Sequence, residues 1–184
     1  CRAFLSGGAS PDGLQGEIAR ALKALEIQTG RKIGGADKPL LVSVRAGARV
    51  SMPGMMETVL NLGLNDGTVE GLARESGDAR FAFDCYRRFI QMYGAVALGL
   101  EPDVFEEALE EAGTDDAASM SEAALRGLVS RFLTLVEEGT GKPFPQDPMR
   151  QLSGAVEAVF SSWTSARAGV FRRMHAIPEE WGAA

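Results

Sequence analysis

Little in this chain points to metals, membranes or disulfides. Only two cysteines occur, Cys1 at the terminus and Cys85 inside a helical pattern, and they match no metal-binding spacing. A structural disulfide is not expected, which suits a reducing cytoplasm. There is a single histidine, His175. No apolar run reaches the roughly 20 residues that span a membrane, and no secretory signal pattern is visible. Aromatic residues are sparse at 7%, and positive charge is not in excess. The formal net charge of -6 argues against a general nucleic-acid or acidic-membrane binder. No repeat or low-complexity tract is evident. No initiator methionine opens the chain, and Trp181-Gly182-Ala183-Ala184 lacks the character of a tail. The expectation is a segment of a longer protein.

What is present suits a globular fold. The 184 residues, 45% of them hydrophobic, suffice for one or two small domains with a core. The most informative stretch runs from Val42 to Asp66. A short apolar strand, Pro39 to Val44, leads to Arg45 and Arg49 around a glycine-containing turn. Then come Met52, Pro53, Gly54, Met55 and Met56. Ordinary packing does not call for this combination. Arginines neutralise an anion, and glycine lets backbone N–H groups approach it. A few local arginines can outweigh a distant negative surface where a site is partly buried.

Elsewhere the pattern is helical. Residues 13–29 place Leu14, Ile18, Leu22 and Leu25 on one face, with Asp12 to cap the start and Gly30 the end. Strand 39–45 and loop 46–57 follow. Residues 58–64 read equally as a short strand or a helical turn. Arg80 to Leu98 is a helix with Tyr86, Ile90, Tyr93 and Ala97 in one row and Phe81, Cys85 and Phe89 beside it. Glu101 to Ala112 is a short acidic helix, and 113–118 a polar linker. Ser119 to Glu122 matches a capping box. The helix after it carries Leu125, Leu128, Val129, Phe132, Leu135 and Val136, and Gly139 and Gly141 stop it. Pro143 to Pro145 is a rigid turn. Asp147-Pro148 starts a helix with Leu152, Val156, Val159, Phe160 and Trp163 on its face. Ser165 to His175 forms the last helix, and Ile177-Pro178 ends it. The fold class is α+β, mostly helical. One strand cannot satisfy its own edges, so its partner is a hairpin with 58–64 or lies outside this sequence.

The stretch 39–66 resembles the ATP-binding domain of the pyruvate, phosphate dikinase family. So does the block Phe81-Ala82-Phe83-Asp84 with Tyr86-Arg87-Arg88-Phe89-Ile90-Gln91-Met92. A third block runs from Ala155 to Gly182, notably Val159-Phe160, Ser162-Trp163, Arg172-Arg173 and Ile177-Pro178-Glu179-Glu180-Trp181-Gly182. The resemblance covers nearly the whole chain and is weakest at 1–30 and 100–125. Related dikinases follow the strand arginine with an acidic, serine-rich loop, so Met-Pro-Gly-Met-Met favours the pyruvate, phosphate branch. Ala46 departs from the pattern, where a serine is expected.

The resemblance implies a fragment of an ATP-grasp-like nucleotide-binding domain with an inserted helical subdomain. Residues 1–66 and 151–184 would form the nucleotide-binding part, and 67–150 the helical one. The implied chemistry interconverts ATP, phosphate and pyruvate with AMP, diphosphate and phosphoenolpyruvate through a phosphohistidine. ATP and Mg2+ would be the ligands, with the metal's carboxylates expected after residue 184. A phosphohistidine domain and a pyruvate/phosphoenolpyruvate barrel would complete a polypeptide that acts as a homo-oligomer. The segment alone would be inactive.

Carried over residue by residue, the resemblance gives Arg45 and Arg88 as phosphate-holding, catalytic arginines. Gly54 would approach the phosphates through its backbone, with Met55 as an apolar wall and Arg49 as a weaker contact or a brace. Each has a plainer reading: a surface ion pair for Arg45, a Pro-Gly turn for Gly54, core packing for Met55, and an i, i+4 pair with Asp84 for Arg88. Of Arg87 and Arg88, a quarter turn apart, only one is expected to face a cleft. His175 reads as a group stabilised by a helix C-terminus rather than a phosphate carrier. Glu106, Glu107, Glu110, Glu111, Asp115 and Asp116 read as a solvated face, and Trp163 and Trp181 as core. A second function class remains open. The acidic helix 101–112 and the apolar faces 125–136 and 152–163 also suit a helical interaction or regulatory module that no longer binds nucleotide.

Overall fold

The computed structural model describes residues 1–8, 10–113 and 117–183. Eight α-helices and a two-stranded antiparallel sheet make up the described fold. Helices α1 (Arg2–Gly7) and α2 (Leu14–Thr29) precede the hairpin of β1 (Val42–Arg45) and β2 (Thr58–Leu62). Helices α3 (Asp66–Ser76), α4 (Ala79–Leu98), α5 (Asp103–Glu111), α6 (Glu122–Thr140), α7 (Pro148–Ser162) and α8 (Ala166–Met174) follow. The α+β, mostly helical class is therefore observed, and the partner of β1 is the hairpin strand.

Side-chain caps set most helix starts. Asp78 accepts from Phe81 N–H at 2.9 Å ahead of α4. Asp147 accepts from Met149 N–H at 2.8 Å ahead of α7, whose first residue is Pro148. Ser165 accepts from Ala168 N–H at 3.3 Å ahead of α8. Three expectations are corrected. Helix α2 begins after Gly13, which turns left-handed at φ 84°, and Asp12 does not cap it. The cap of α6 is Ser121, accepting from Ala124 N–H at 3.3 Å, two residues later than expected. Gly139 does not stop α6 but lies within it, where Leu100 fills the space a Cβ would need. The linker expected over 113–118 falls partly on residues 114–116, outside the described residues.

Helix α3 was not expected at all. Its signal is Asn65, whose Oδ1 accepts from Gly67 N–H at 2.9 Å and Thr68 N–H at 2.8 Å. Thr68 Oγ1 accepts in return from Asn65 N–H at 2.8 Å. A Thr in place of Glu or Gln at the third helical position closes the same reciprocal box.

Helix α4 is the central post, packing on α3, α6, α7 and β2. Ala82, Phe83, Tyr86, Phe89, Ile90 and Tyr93 are buried on it, whereas Phe81 is half exposed. Phe144, from the rigid turn, inserts among three α4 rings. Its centroid lies 6.4 Å from Tyr86, 5.6 Å from Phe89 and 5.5 Å from Tyr93, all edge-on. This cluster also takes in Leu62 and Leu64 after the hairpin and Leu152 and Ala155 of α7. Buried Gln151 ties the same region together. Its Nε2 donates to Leu64 O at 2.9 Å and Pro145 O at 2.8 Å, and its Oε1 accepts from Gly63 N–H at 3.1 Å.

A second, smaller cluster positions the loop between β1 and β2. Met52, Trp163, Ala168, Ile177 and Ala183 are its buried members, with Met55, Met56, Phe171 and Leu5 packed around them. Trp163 is 1% exposed, as expected of a core residue. Trp181 is not core: it stands 38% exposed against the loop.

Candidate functional site

Arg45 closes β1 and pairs with Thr58, the first residue of β2. The loop 46–57 therefore leaves and returns at one end of the hairpin. It folds back on itself at Met52-Pro53-Gly54-Met55, where Met55 N–H donates to Met52 O at 3.1 Å. Gly54 takes φ 72°, a conformation glycine adopts without penalty, and the space beyond it is open. Arg45, Ser51, Gly54, Met56 and Glu57 line a surface hollow of about 410 Å³ enclosed by this loop.

Three contacts brace the hollow. Buried Met52 anchors the loop on the Trp163 cluster; burying such a side chain contributes about 1.5–3 kcal/mol. Glu57 N–H donates to Ser162 Oγ at 3.2 Å, which ties the loop's end to α7. The Glu57 carboxylate pairs with Arg167 of α8. Trp163 itself is held by its Nε1 donating to Glu179 O at 2.9 Å, and the Arg172 guanidinium lies 4.7 Å over its ring.

The structure brings Arg45 and Gly54 to one hollow. Arg45 is exposed and has no carboxylate partner among the described residues. Its charge is thus available to an incoming anion. Met55 packs in the second cluster, while Met52 and Met56 line the hollow. Arg49 lies with its guanidinium 5.5 Å over the Trp181 ring, which braces the loop against the chain's end.

Arg88 is not among the residues lining this hollow. It is exposed on α4 and pairs with Asp84 Oδ2 at 2.8 Å. Arg87 takes the other oxygen of the same carboxylate, with NH2 at 2.8 Å from Asp84 Oδ1, and donates to Gln91 Oε1 at 3.0 Å. Arg87 is buried and Arg88 exposed, so only Arg88 faces outward. One carboxylate serving two guanidinium groups leaves a net positive charge there. Leu60 N–H contacts Met92 Sδ at 3.2 Å, and Tyr86 donates to Asp66 Oδ1 at 2.8 Å. Helix α4 therefore runs opposite to β2, with Arg88 toward the end of the strand that is remote from Arg45.

His175 ends α8, exposed and stacked on Phe171 at 4.2 Å between centroids. Glu106, Glu107, Glu110 and Glu111 are exposed, and Asp115 and Asp116 lie outside the described residues. Among the described residues no group of three or more His, Cys, Asp or Glu side chains comes together to hold a metal ion. No described helix is long and apolar enough to cross a membrane.

A family profile described as "Pyruvate phosphate dikinase, AMP/ATP-binding domain" matches residues 2–184. The chain belongs to that family. Among relatives, the pyruvate, phosphate dikinase of Rhizobium meliloti (strain 1021) is 50% identical over 189 residues, covering 100% of this chain and 21% of the relative. That of Clostridium symbiosum is 47% identical over 186 residues, covering 98% of this chain and 21% of the relative. The chloroplastic pyruvate, phosphate dikinase of Flaveria trinervia is 46% identical, covering 96% of this chain and 19% of the relative. The chain thus spans 21% of the length of the first two relatives it matches.

Sequence reasoning overlooked some residues that position the candidate site of this dikinase-family chain. Glu57, Ser162 and Arg167 brace the far side of the hollow, and Glu57 meets Ser162, 105 residues away, and Arg167, 110 residues away, only because α7 and α8 fold onto the hairpin loop. Pairwise spacing carries no signal for such contacts. The pairing of Arg49 with Trp181 was equally hidden, because each residue reads alone as a loop cation and a core aromatic.

Proposed function

We infer that the hollow between β1 and β2 receives the polyphosphate of ATP as part of the nucleotide-binding domain of a pyruvate, phosphate dikinase. The carrying observation is Arg45: an exposed guanidinium with no carboxylate partner among the described residues, sharing a hollow with the open backbone bend at Gly54. Fixed positive charge against a triphosphate stabilises charge that moves onto the leaving phosphate in phosphoryl transfer. Gly54 lets the loop backbone approach the phosphates, Met55 holds the loop from the core side, and Arg49 braces it on Trp181. Arg88 would join as the second phosphate-facing arginine once a lobe of the same polypeptide closes across the hairpin and α4. A magnesium ion travelling with the nucleotide would take its protein ligands from outside these residues.

On this reading residues 1–66 and 151–184 belong to an ATP-grasp-like lobe and 67–150 to an inserted helical subdomain. The parent enzyme interconverts ATP, phosphate and pyruvate with AMP, diphosphate and phosphoenolpyruvate through a phosphohistidine domain and a pyruvate barrel, as a homo-oligomer in the cytoplasm. The chain alone does not turn over. The alternative, a helical interaction module, draws less support. Leu125, Leu128, Val129, Phe132 and Val136 of α6 and Leu152, Val159, Phe160 and Trp163 of the α7 region are already buried inside the chain.

Titrating a full-length dikinase carrying this chain with Mg-ATP, alongside phosphotransfer by the 184-residue chain, tests the reading. Saturable ATP binding that depends on Arg45, with no turnover by the chain alone, is expected. ATP binding indifferent to Arg45 would favour the interaction module.

A further inference from the structure

A second cavity lies away from the hairpin, between the C-terminal half of α4 and the start of α7. It measures about 720 Å³, within the range of roughly 300–1,000 Å³ typical of small-molecule sites. Its walls are the rings of Tyr93 and Phe144, the side chain of Leu98 and the ring of Pro145. Lys142 and Arg150 stand at its rim from opposite sides of the rigid turn. Neither has a carboxylate partner among the described residues. Asp147 lies between them in sequence and lines the same cavity while capping α7, its Oδ1 accepting from Met149 N–H at 2.8 Å. Its carboxylate keeps its charge and offsets one of the two cations, which leaves one net positive charge among these three lining residues. The Tyr93 hydroxyl, which makes no hydrogen bond to another described residue, lies against Gly154, one turn beyond Arg150.

We propose that this cavity binds a small aromatic anion, its ring between Phe144, Leu98 and Pro145 and its charged group between Lys142 and Arg150. An apolar slot rewards a flat ring, and two cations facing a single carboxylate at one edge reward a carboxylate, sulfonate or phosphate on that ring. A purely apolar ligand would leave the excess positive charge unanswered. A fully hydrated anion would leave the aromatic wall wet. The walls are held by the Phe144 insertion and the capped start of α7, so the slot exists before a ligand arrives. It shares no residue with the hollow at Arg45.

Anilinonaphthalene sulfonate, whose emission rises in an apolar site, is a direct probe. The 184-residue chain should bind one equivalent saturably. The Lys142→Glu/Arg150→Glu variant should bind at least ~10-fold more weakly, a loss of about 1.4 kcal/mol, with an unchanged thermal unfolding midpoint. Should that variant unfold, the milder Lys142→Gln and Arg150→Gln variants must each weaken binding. Equal binding by the variants overturns the proposal, as does loss of dye binding in Arg45→Ala instead. Displacement of the dye by polyglutamate as readily as by naphthalene sulfonate would also overturn it, since the slot would then serve an acidic peptide.

Discussion

Arg45 and Thr58 face one another as the last rung of the β1–β2 ladder. The rung fixes where the guanidinium leaves the sheet, yet the side chain beyond it touches no carboxylate among the described residues. Arg45→Ala should therefore cost little stability, within about 0.5 kcal/mol. In the full-length enzyme it should weaken ATP binding by about 1.5–3 kcal/mol, the worth of a charge-assisted contact. Arg45→Lys should recover only part, because an ammonium cannot reproduce a bidentate fork. Isothermal titration with Mg-ATP together with a denaturant midpoint separates the two effects. A large loss of stability with unchanged affinity would assign Arg45 to the fold.

Gly54 poses a sharper choice between turn and site. Its φ of 72° penalises most side chains by about 1–2 kcal/mol, yet a Cβ there meets open space. Gly54→Asn tolerates the left-handed conformation and should fold nearly as well as the parent. Its side chain would project into the hollow, so ATP affinity should fall while the unfolding midpoint holds. If Gly54→Asn binds ATP normally, the glycine serves the turn alone.

A glycine inside a helix tests packing. A Cβ at Gly71 of α3 would stand 2.1 Å from the Ala36 carbonyl oxygen, part of a backbone segment and not the end of a flexible side chain. Alanine is favoured over glycine in helices by about 1 kcal/mol, but overpacking of this kind costs about 1–3 kcal/mol. Since the obstacle is main chain, the clash should win, and Gly71→Ala should lower the urea midpoint. A raised midpoint would mean that the 36–37 segment yields freely.

These cases show which parts of the molecule its sequence could disclose. Helices α4, α6 and α7 were legible because apolar residues recur at 3.6-residue spacing, and Asp147-Pro148 marks the start of α7. The ATP-domain resemblance rested on contiguous residues, which sequence preserves directly. Helix α3 was missed because Asn65-Asp66-Gly67 reads as a turn, and its capping partner is a threonine. Asp12 and Gly139 misled because capping and stopping depend on local dihedrals and on what packs nearby, here Gly13 and Leu100. Trp181 was read as core since large aromatics usually are, yet it ends as a shelf for Arg49. The arrangement of Arg45 relative to Arg88 depends on the direction of α4 against β2, a tertiary fact that no spacing encodes.

The two tyrosines supply a prediction about alkaline pH. Both are buried on α4. Burial, aided by nearby Glu157, raises the Tyr93 phenol from 10.0 to about 12. Burial also raises Tyr86, further still, with its hydrogen bond to Asp66 adding to the effect. Below about pH 10 the folded and unfolded chains both keep these protons, and their contribution to stability is complete. Between about pH 10 and 12 the unfolded chain gives them up while the folded chain retains them, so unfolding is increasingly favoured. For Tyr93 alone the loss reaches roughly 2 kcal/mol by pH 12. Phenolate absorbance should therefore stay flat through pH 10 and rise only together with loss of the helical circular-dichroism signal. Phenolate appearing near pH 10 with the helical signal intact would mean that at least one ring is reached by solvent in the native state, which the wedge of Phe144 between Tyr86 and Tyr93 is built to prevent.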